Sequence, residues 1–254
     1  MDHFVITEKN KILRMLGREA MRPYLWLTIA GVCFYTVIMD IPNIIWGDSA
    51  YTAEQLQEVF NDMFRYGVMP DVPRYYFIDS LYTFLITGPL LYGLTMFLLN
   101  IFRRKPTTTL EIFLGFSNFK KTFPHYAARV FMTIVGMILL VVPGFVFLYA
   151  YSMGFYLMCD DPNLGPIEAM KLSRRLMKGN KWKLFTLHLS FIGWVALFGL
   201  ITTFLNAISM WLAVFANVFL SAFLTAYIRL TEVAFYEMLV GHLHRAEPEV
   251  NPNA

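Results

Sequence analysis

Long apolar stretches without a single Asp, Glu, Lys or Arg alternate along this chain with short segments of amphipathic, helical spacing. The uncharged stretches run from Tyr24 to Met39, Leu81 to Phe102, Val130 to Cys159 and Leu184 to Ile228. A helix that crosses the hydrocarbon of a bilayer needs roughly 20 apolar residues. The first two stretches therefore predict one span each, and the last two predict pairs. The reading is an all-α, polytopic membrane helix bundle with six spans over 23–41, 79–102, 127–142, 145–159, 184–205 and 209–230. Residues 1–245 form one domain, with an outer segment over 42–78, and the Pro- and Glu-containing stretch 246–254 reads as a disordered tail.

Between the uncharged stretches the period changes. In residues 1–22, Ile12, Leu13, Leu16 and Met21 alternate with Lys9, Lys11, Arg14 and Arg18, the pattern of a basic amphipathic helix. Residues 52–66 place Leu56, Val59, Phe60, Met63 and Phe64 opposite Glu54, Glu58 and Asp62, which predicts a helix on the outer surface ended by Pro70 and Pro73. Residues 107–124 form a second amphipathic stretch on the basic side. Pro166 to Met177 is a third, with Pro166 suited to a first helical turn and Gly179-Asn180 to a stop.

Charge orients the spans. Of 21 Lys and Arg, only Arg65 and Arg74 lie between the first two spans, where acidic residues gather. Basic clusters precede span 1, follow span 2 and precede span 5. Short loops rich in Lys and Arg stay cytoplasmic, so all three clusters share one side and both termini are expected in the cytoplasm. An even number of crossings must then separate Arg129 from Lys171. The stretch around Pro143-Gly144 satisfies this either as a hairpin of two short spans, the favoured reading, or as a re-entrant loop. Gly88-Pro89 and Pro143-Gly144 are read as hinges or turns.

Composition agrees with this picture and adds little to it. The chain is 57% apolar and 15% charged, against about 25% charged in soluble domains. Cys33 and Cys159, the two cysteines, lie in or at the end of apolar runs and predict no disulfide framework. The first span follows about 22 polar and basic residues, has no small-residue cleavage site after it, and is expected to act as an uncleaved anchor.

From Gly88 onward the chain carries specific runs: GPLLYGLTMFLLNIFRRK, EIFLGFSNFKKTF, VVPG, then YSMGFYLMCDDPNLGPIEAMKLSRRLMKGNKWKLF, LSFIGW and FYEML. Over roughly 150 residues these resemble an uncharacterised family of multi-pass bacterial membrane proteins, mainly Gram-positive, catalogued as a domain of unknown function. His188 departs from the pattern, standing where an acidic residue is expected. The resemblance implies an all-helical membrane fold and no catalytic residues.

Candidate chemistry is sparse. Ionisable groups inside spans mark ion and substrate pathways because burying them is costly, and the uncharged stretches hold none except the neutral-counted His188. A candidate polar site combines His188, Asp160 and Asp161; the plainer reading has the two aspartates capping or facing the start of the helix that follows. Arg229 and Glu232, three apart, read as a structural pair. No phosphate loop, nucleophile elbow, zinc motif or metal cluster is present in the sequence, so no cofactor, metal or nucleic-acid partner is expected. The densest basic group is Lys171, Arg174, Arg175, Lys178, Lys181 and Lys183. Such residues attract anionic headgroups at about 1 kcal/mol each, and they are the candidate contact for membrane lipids or a protein partner.

The leading functional expectation is a non-enzymatic accessory or scaffold protein of the bacterial cytoplasmic membrane. The alternative is a transporter or permease-like protein for a small or amphipathic molecule, and the third reading is a membrane-embedded lipid enzyme. A polar central cavity separates the last two from the first.

Overall fold

The structure is a computed structural model that describes residues 5–46, 74–241 and 243, with Asn61 and Arg65 between them. The outer helix expected over 52–66 falls outside these apart from those two residues, and the tail 246–254 falls outside altogether. All regular structure among the described residues is helical. Six helical stretches are long and apolar enough to cross a membrane: Asn10–Met39, Ile78–Phe102, Phe119–Leu139, Val141–Asp160, Lys181–Ile208 and Met210–Leu239. The chain is a multi-pass membrane protein.

The amphipathic N-terminal segment forms α1 (Asn10–Met21) and passes through one tight turn, Arg22–Tyr24, into α2 (Leu25–Met39). Leu13, Gly17 and Met21 recur every four residues and form the buried stripe of α1. That stripe lies along the last helix, where Gly17 meets Thr231. The N-terminal arm is pinned further by the Ile6 N–H, which donates to the buried Asn180 side chain at 2.9 Å. α3 (Ile41–Trp46) follows, and α4 (Arg74–Phe102) carries the second span through Pro89 without interruption.

A short segment on the basic side then folds back onto α4. It comprises a 3-10 turn over Thr109–Phe113 and α5 (Leu114–Ser117). Contact is backbone to backbone: a Cβ on Gly93 would overlap the Ile112 carbonyl, and one on Gly115 would overlap the Pro89 carbonyl. Pro89 and Gly88, read from sequence as a hinge, are thus packing points, with Gly88 seated under Tyr126. Gly93→Ala or Gly115→Ala must push the segment off α4. Either substitution is expected to cost about 2 kcal/mol or more, since backbone cannot yield as a rotamer can; a thermal unfolding scan of the purified variant checks it.

α6 (Phe119–Leu139) and α7 (Val141–Ala150) make the first hairpin, and α8 (Gly154–Asp160) completes its returning arm. The chain reverses at Leu140, whose backbone is extended (φ −164°, ψ 147°), and not at Pro143-Gly144 as the sequence suggested. Pro143 instead occupies the first turn of α7, where its missing N–H costs nothing. Gly144 lets α7 approach Gly136 and Met137 of α6. The arms are longer than the short ones inferred from sequence because α6 starts at Phe119, absorbing Lys120 and Lys121 into its first turn.

α9 (Pro166–Leu176) begins at Pro166, with the Glu168 carboxylate accepting the Gly165 N–H at 3.2 Å, and ends in a turn in which Gly179 has φ +82°. The second hairpin consists of α10 (Lys181–Leu189), α11 (Ile192–Ile208) and α12 (Met210–Leu239), with a break at Ser190-Phe191 inside what the sequence reads as one span.

Packing is uneven along the membrane normal. At the end that carries the basic clusters, α12 is buried at every position from Leu230 to Leu239. Toward the other end, α11 buries nothing and α12 buries only Ala213 before Ala222. The α6–α7 tip is equally bare, with Ile138 78% and Val142 71% exposed. Lipid tails are as apolar as these side chains, so such surfaces are stable where water is absent. The result is a packed bundle at the basic end from which two apolar hairpins project.

Candidate functional site

The polar residues of the spans are not scattered. They converge where α12 enters the packed half of the bundle. Arg229, Glu232 and Tyr236 are spaced at three and four residues and share one face of α12. Tyr156 and Asp160, four apart, share one face of α8. The two faces are cross-linked. The Tyr156 hydroxyl donates to Glu232 at 3.2 Å, and the Tyr236 hydroxyl donates to Asp160 at 2.6 Å. The two rings stack at 5.1 Å between centroids.

Glu232 is the hub on one side of this stack. Its carboxylate accepts from Arg229 Nη1 at 2.9 Å and from His188 Nε2 at 2.8 Å. With Nε2–H donating, His188 Nδ1 is left as the acceptor for the Tyr149 hydroxyl at 3.3 Å. On the other side Arg103 is the hub. It holds Asp160 through Nη1 at 2.6 Å and Nη2 at 3.1 Å, and donates from Nε to Glu237 at 2.7 Å. Burial by itself lowers the pKa of Arg103, but the hydrogen bonds to Asp160 and the charges of Glu237 and Asp160 outweigh it and raise the value above that of free arginine. Glu237, only 4% exposed at its side chain, has this arginine as its counter-charge. Arg103→Ala removes the counter-charge of a buried carboxylate and is expected to cost about 3 kcal/mol. Arg103→Lys keeps the charge but loses the fork to Asp160, so it recovers only part of the loss in a thermal unfolding comparison.

Beside Glu232 lies a cavity of about 450 Å³ between the two hairpins and α4. Its wall nearest the basic end carries Arg129, His188, Arg229, Glu232, Tyr149 and Tyr156. These sit about 5–17 Å from the basic ends of their spans at 1.5 Å rise per residue. The wall nearer the middle of the spans is uncharged and mainly apolar, with Leu148, Ile192, Val195 and Ile228 beside Thr225. The volume is that of a site for a small organic ligand, typically about 300–1,000 Å³.

Arg129 is the unusual member. α6 projects it into the cavity, yet no hydrogen bond or ion pair of its guanidinium exists among the described residues. Glu232 is already shared by Arg229, His188 and Tyr156. Two arginines face one carboxylate, so the cavity carries an excess positive charge within the spans. An unpaired guanidinium away from bulk water is costly unless an anion completes it.

The residues singled out from sequence fall in three places. His188 lines the cavity, Asp160 belongs to the adjoining Arg103 cluster, and Asp161 belongs to neither: it accepts the Asn163 N–H at 2.9 Å in the loop before α9, whose cap is Gly165. Lys171, Arg174, Arg175, Lys178 and Lys181 line a separate concave face at the surface beside the exposed Trp182, and Lys183 does not line it. Arg129, Arg229, Glu232 and Tyr156 were not read as a site. The signal was available in the R-x-x-E-x-x-x-Y spacing of an otherwise apolar helix. No His, Cys, Asp and Glu group suited to a metal ion occurs among the described residues.

Residues 124–242, which contain every cavity residue except those of α4, match the profile of a family described as a protein of unknown function (DUF975). That stretch of the chain is therefore similar to an uncharacterised family, as its runs suggested. Neither the curated proteins nor the solved structures contain a match to the chain.

Proposed function

We propose that this protein is a membrane-embedded binding protein of the transporter or permease-like class whose substrate is a small amphipathic anion. The observation that carries this reading is Arg129, an arginine whose guanidinium makes no hydrogen bond or ion pair among the described residues, facing an amphipathic cavity that already holds a second arginine. Guanidinium groups match carboxylate and phosphate geometry through paired donors. The apolar upper wall suits a hydrocarbon portion. The reading places the protein in the cytoplasmic membrane of a bacterium, Gram-positive by the resemblance of its sequence runs, with both termini and the basic end of the bundle in the cytoplasm.

The test uses purified full-length protein in an uncharged detergent. An alkyl phosphate is added, with an alkyl glucoside of equal chain length as the uncharged control. A ligand that binds only the folded state raises stability by about 2.7 kcal/mol at a hundred times its Kd. The phosphate is expected to raise the unfolding temperature and the glucoside to leave it unchanged. Equal effects of the two, or none, contradict the proposal.

The accessory reading retains one observation of its own, the concave basic face of α9 and α10 with Trp182 exposed beside it. That surface suits anionic headgroups or an acidic partner at the membrane interface. If it serves as such a contact, Arg174→Gln with Arg175→Gln weakens sedimentation of the protein's α9-facing surface partners or lipids without altering alkyl phosphate binding; retention of both in a co-purification experiment argues against it.

A further inference from the structure

We infer that the cavity is filled from the bilayer: its ligand is an anionic phospholipid of the leaflet at the basic end, with the phosphate at Arg129 and Arg229 and the acyl chains lying between the two hairpins. This rests on the proposed binding of an amphipathic anion and specifies its class and its route.

Three observations carry it. First, the hairpins meet near the basic end, where α10 packs on α7 and Tyr156 bonds to Glu232, and part from there. α6 packs on α7 and α11 packs on α12, but neither α6 nor α7 makes substantial contact with α11 or α12. Leu148 of α7 and Val195 of α11 face the same cavity from opposite hairpins. The space between them is therefore walled by apolar helices and continues toward lipid. Second, the charge runs in the order of a lipid. Apolar residues such as Met153, Leu184 and Phe191 stand beside the charged ones, but beyond Arg129 and Arg229 toward the middle of the spans the lining is uncharged, with Leu148, Ile192, Val195, Thr225 and Ile228, which is the order of headgroup and chain in the leaflet on that side. A molecule from water would meet the charged end first and would not need the apolar wall. Third, the charge count fits one phosphodiester. Arg129 and Arg229 oppose the single carboxylate of Glu232, leaving one positive charge for one negative headgroup. A cavity of about 450 Å³ holds the headgroup and the start of the chains, but not a whole diacyl lipid. The chains must continue into the cleft.

The experiment is native mass spectrometry of the full-length protein after delipidation, with three probes: dioleoyl phosphatidylglycerol, dioleoyl phosphatidylcholine with the same chains and no net charge, and dihexanoyl phosphatidylglycerol with the same headgroup and short, water-soluble chains. Expected is one dioleoyl phosphatidylglycerol per chain, with the choline lipid and the short-chain lipid each bound about tenfold or more weakly. Arg129→Gln lowers the long-chain anionic complex by a similar factor. So does Val195→Trp, which narrows the cleft, with Leu148→Trp from the opposite hairpin as a second version should the first fail to fold. Equal binding of the short-chain and long-chain phosphatidylglycerol, both lost in Arg129→Gln, overturns the bilayer route and leaves the proposed function standing. No binding of either overturns both. Loss of the complex in Arg174→Gln with Arg175→Gln, and not in Arg129→Gln, places the lipid on the surface patch and overturns the inference.

Discussion

Replacing Arg129 by glutamine is expected to leave the ligand-free protein at least as stable as the wild type while weakening binding of an anionic amphiphile about ten- to hundredfold. The two halves of this result have separate causes. No ion pair or hydrogen bond of the Arg129 guanidinium exists among the described residues, so its removal leaves no group without a partner. It also removes a positive charge from a cavity that Arg229 already lines, relieving like-charge repulsion where water screens little. A charge-assisted hydrogen bond to a ligand is worth about 1.5–3 kcal/mol, which sets the size of the loss in binding. A structural arginine behaves in the opposite way, losing stability first. Unfolding temperatures without ligand and affinities for an alkyl phosphate, measured on the same preparation, separate the two behaviours. A clear fall in stability without ligand would mean that Arg129 has a structural partner.

Glu232→Ala should give the largest stability loss in the cavity. Its side chain is 11% exposed and receives three donors, from Arg229, His188 and Tyr156. Truncation strands all three together. Breaking a buried ion pair from one side costs about 3–5 kcal/mol; the lower end applies here, because Arg229 and His188 are themselves about a third exposed at their side chains. Removing Arg229 together with Glu232, as Arg229→Gln with Glu232→Gln, should cost less than the sum of the single changes, since each leaves the other's partner unneeded. Additive losses in chemical or thermal unfolding would show that Arg229 and Glu232 are not coupled.

The membrane architecture was readable because each span is written as an uninterrupted apolar stretch, and because Pro166 and Gly179 mark the ends of α9 with residues suited to those backbone positions. The turn of the first hairpin was misplaced for a physical reason. Pro143 breaks a helix when it falls inside one, but is harmless in a first turn, and only the position of Leu140 decides which applies. The cavity was the least legible part. Arg129 reads as an interfacial charge at the very start of a span begun at residue 127. Once α6 begins at Phe119, the same arginine lies ten residues inside a helix. Arg229 with Glu232 reads as a local pair along α12, and the sequence gives no hint that Tyr156 and His188, more than 40 residues away, close around the same carboxylate. Aspartates at 160 and 161 look equivalent as neighbours, yet a helix end turns one toward Arg103 and the other into the following loop.

The most direct measurement is an experimental structure of the full-length protein in lipid nanodiscs containing an anionic phospholipid. The account predicts density for one bound amphiphile in the cavity, its headgroup against Arg129 and Arg229 and its chains between the α6–α7 and α11–α12 hairpins. Closed hairpins, with Arg129 ion-paired inside the protein and no cavity between them, would contradict it.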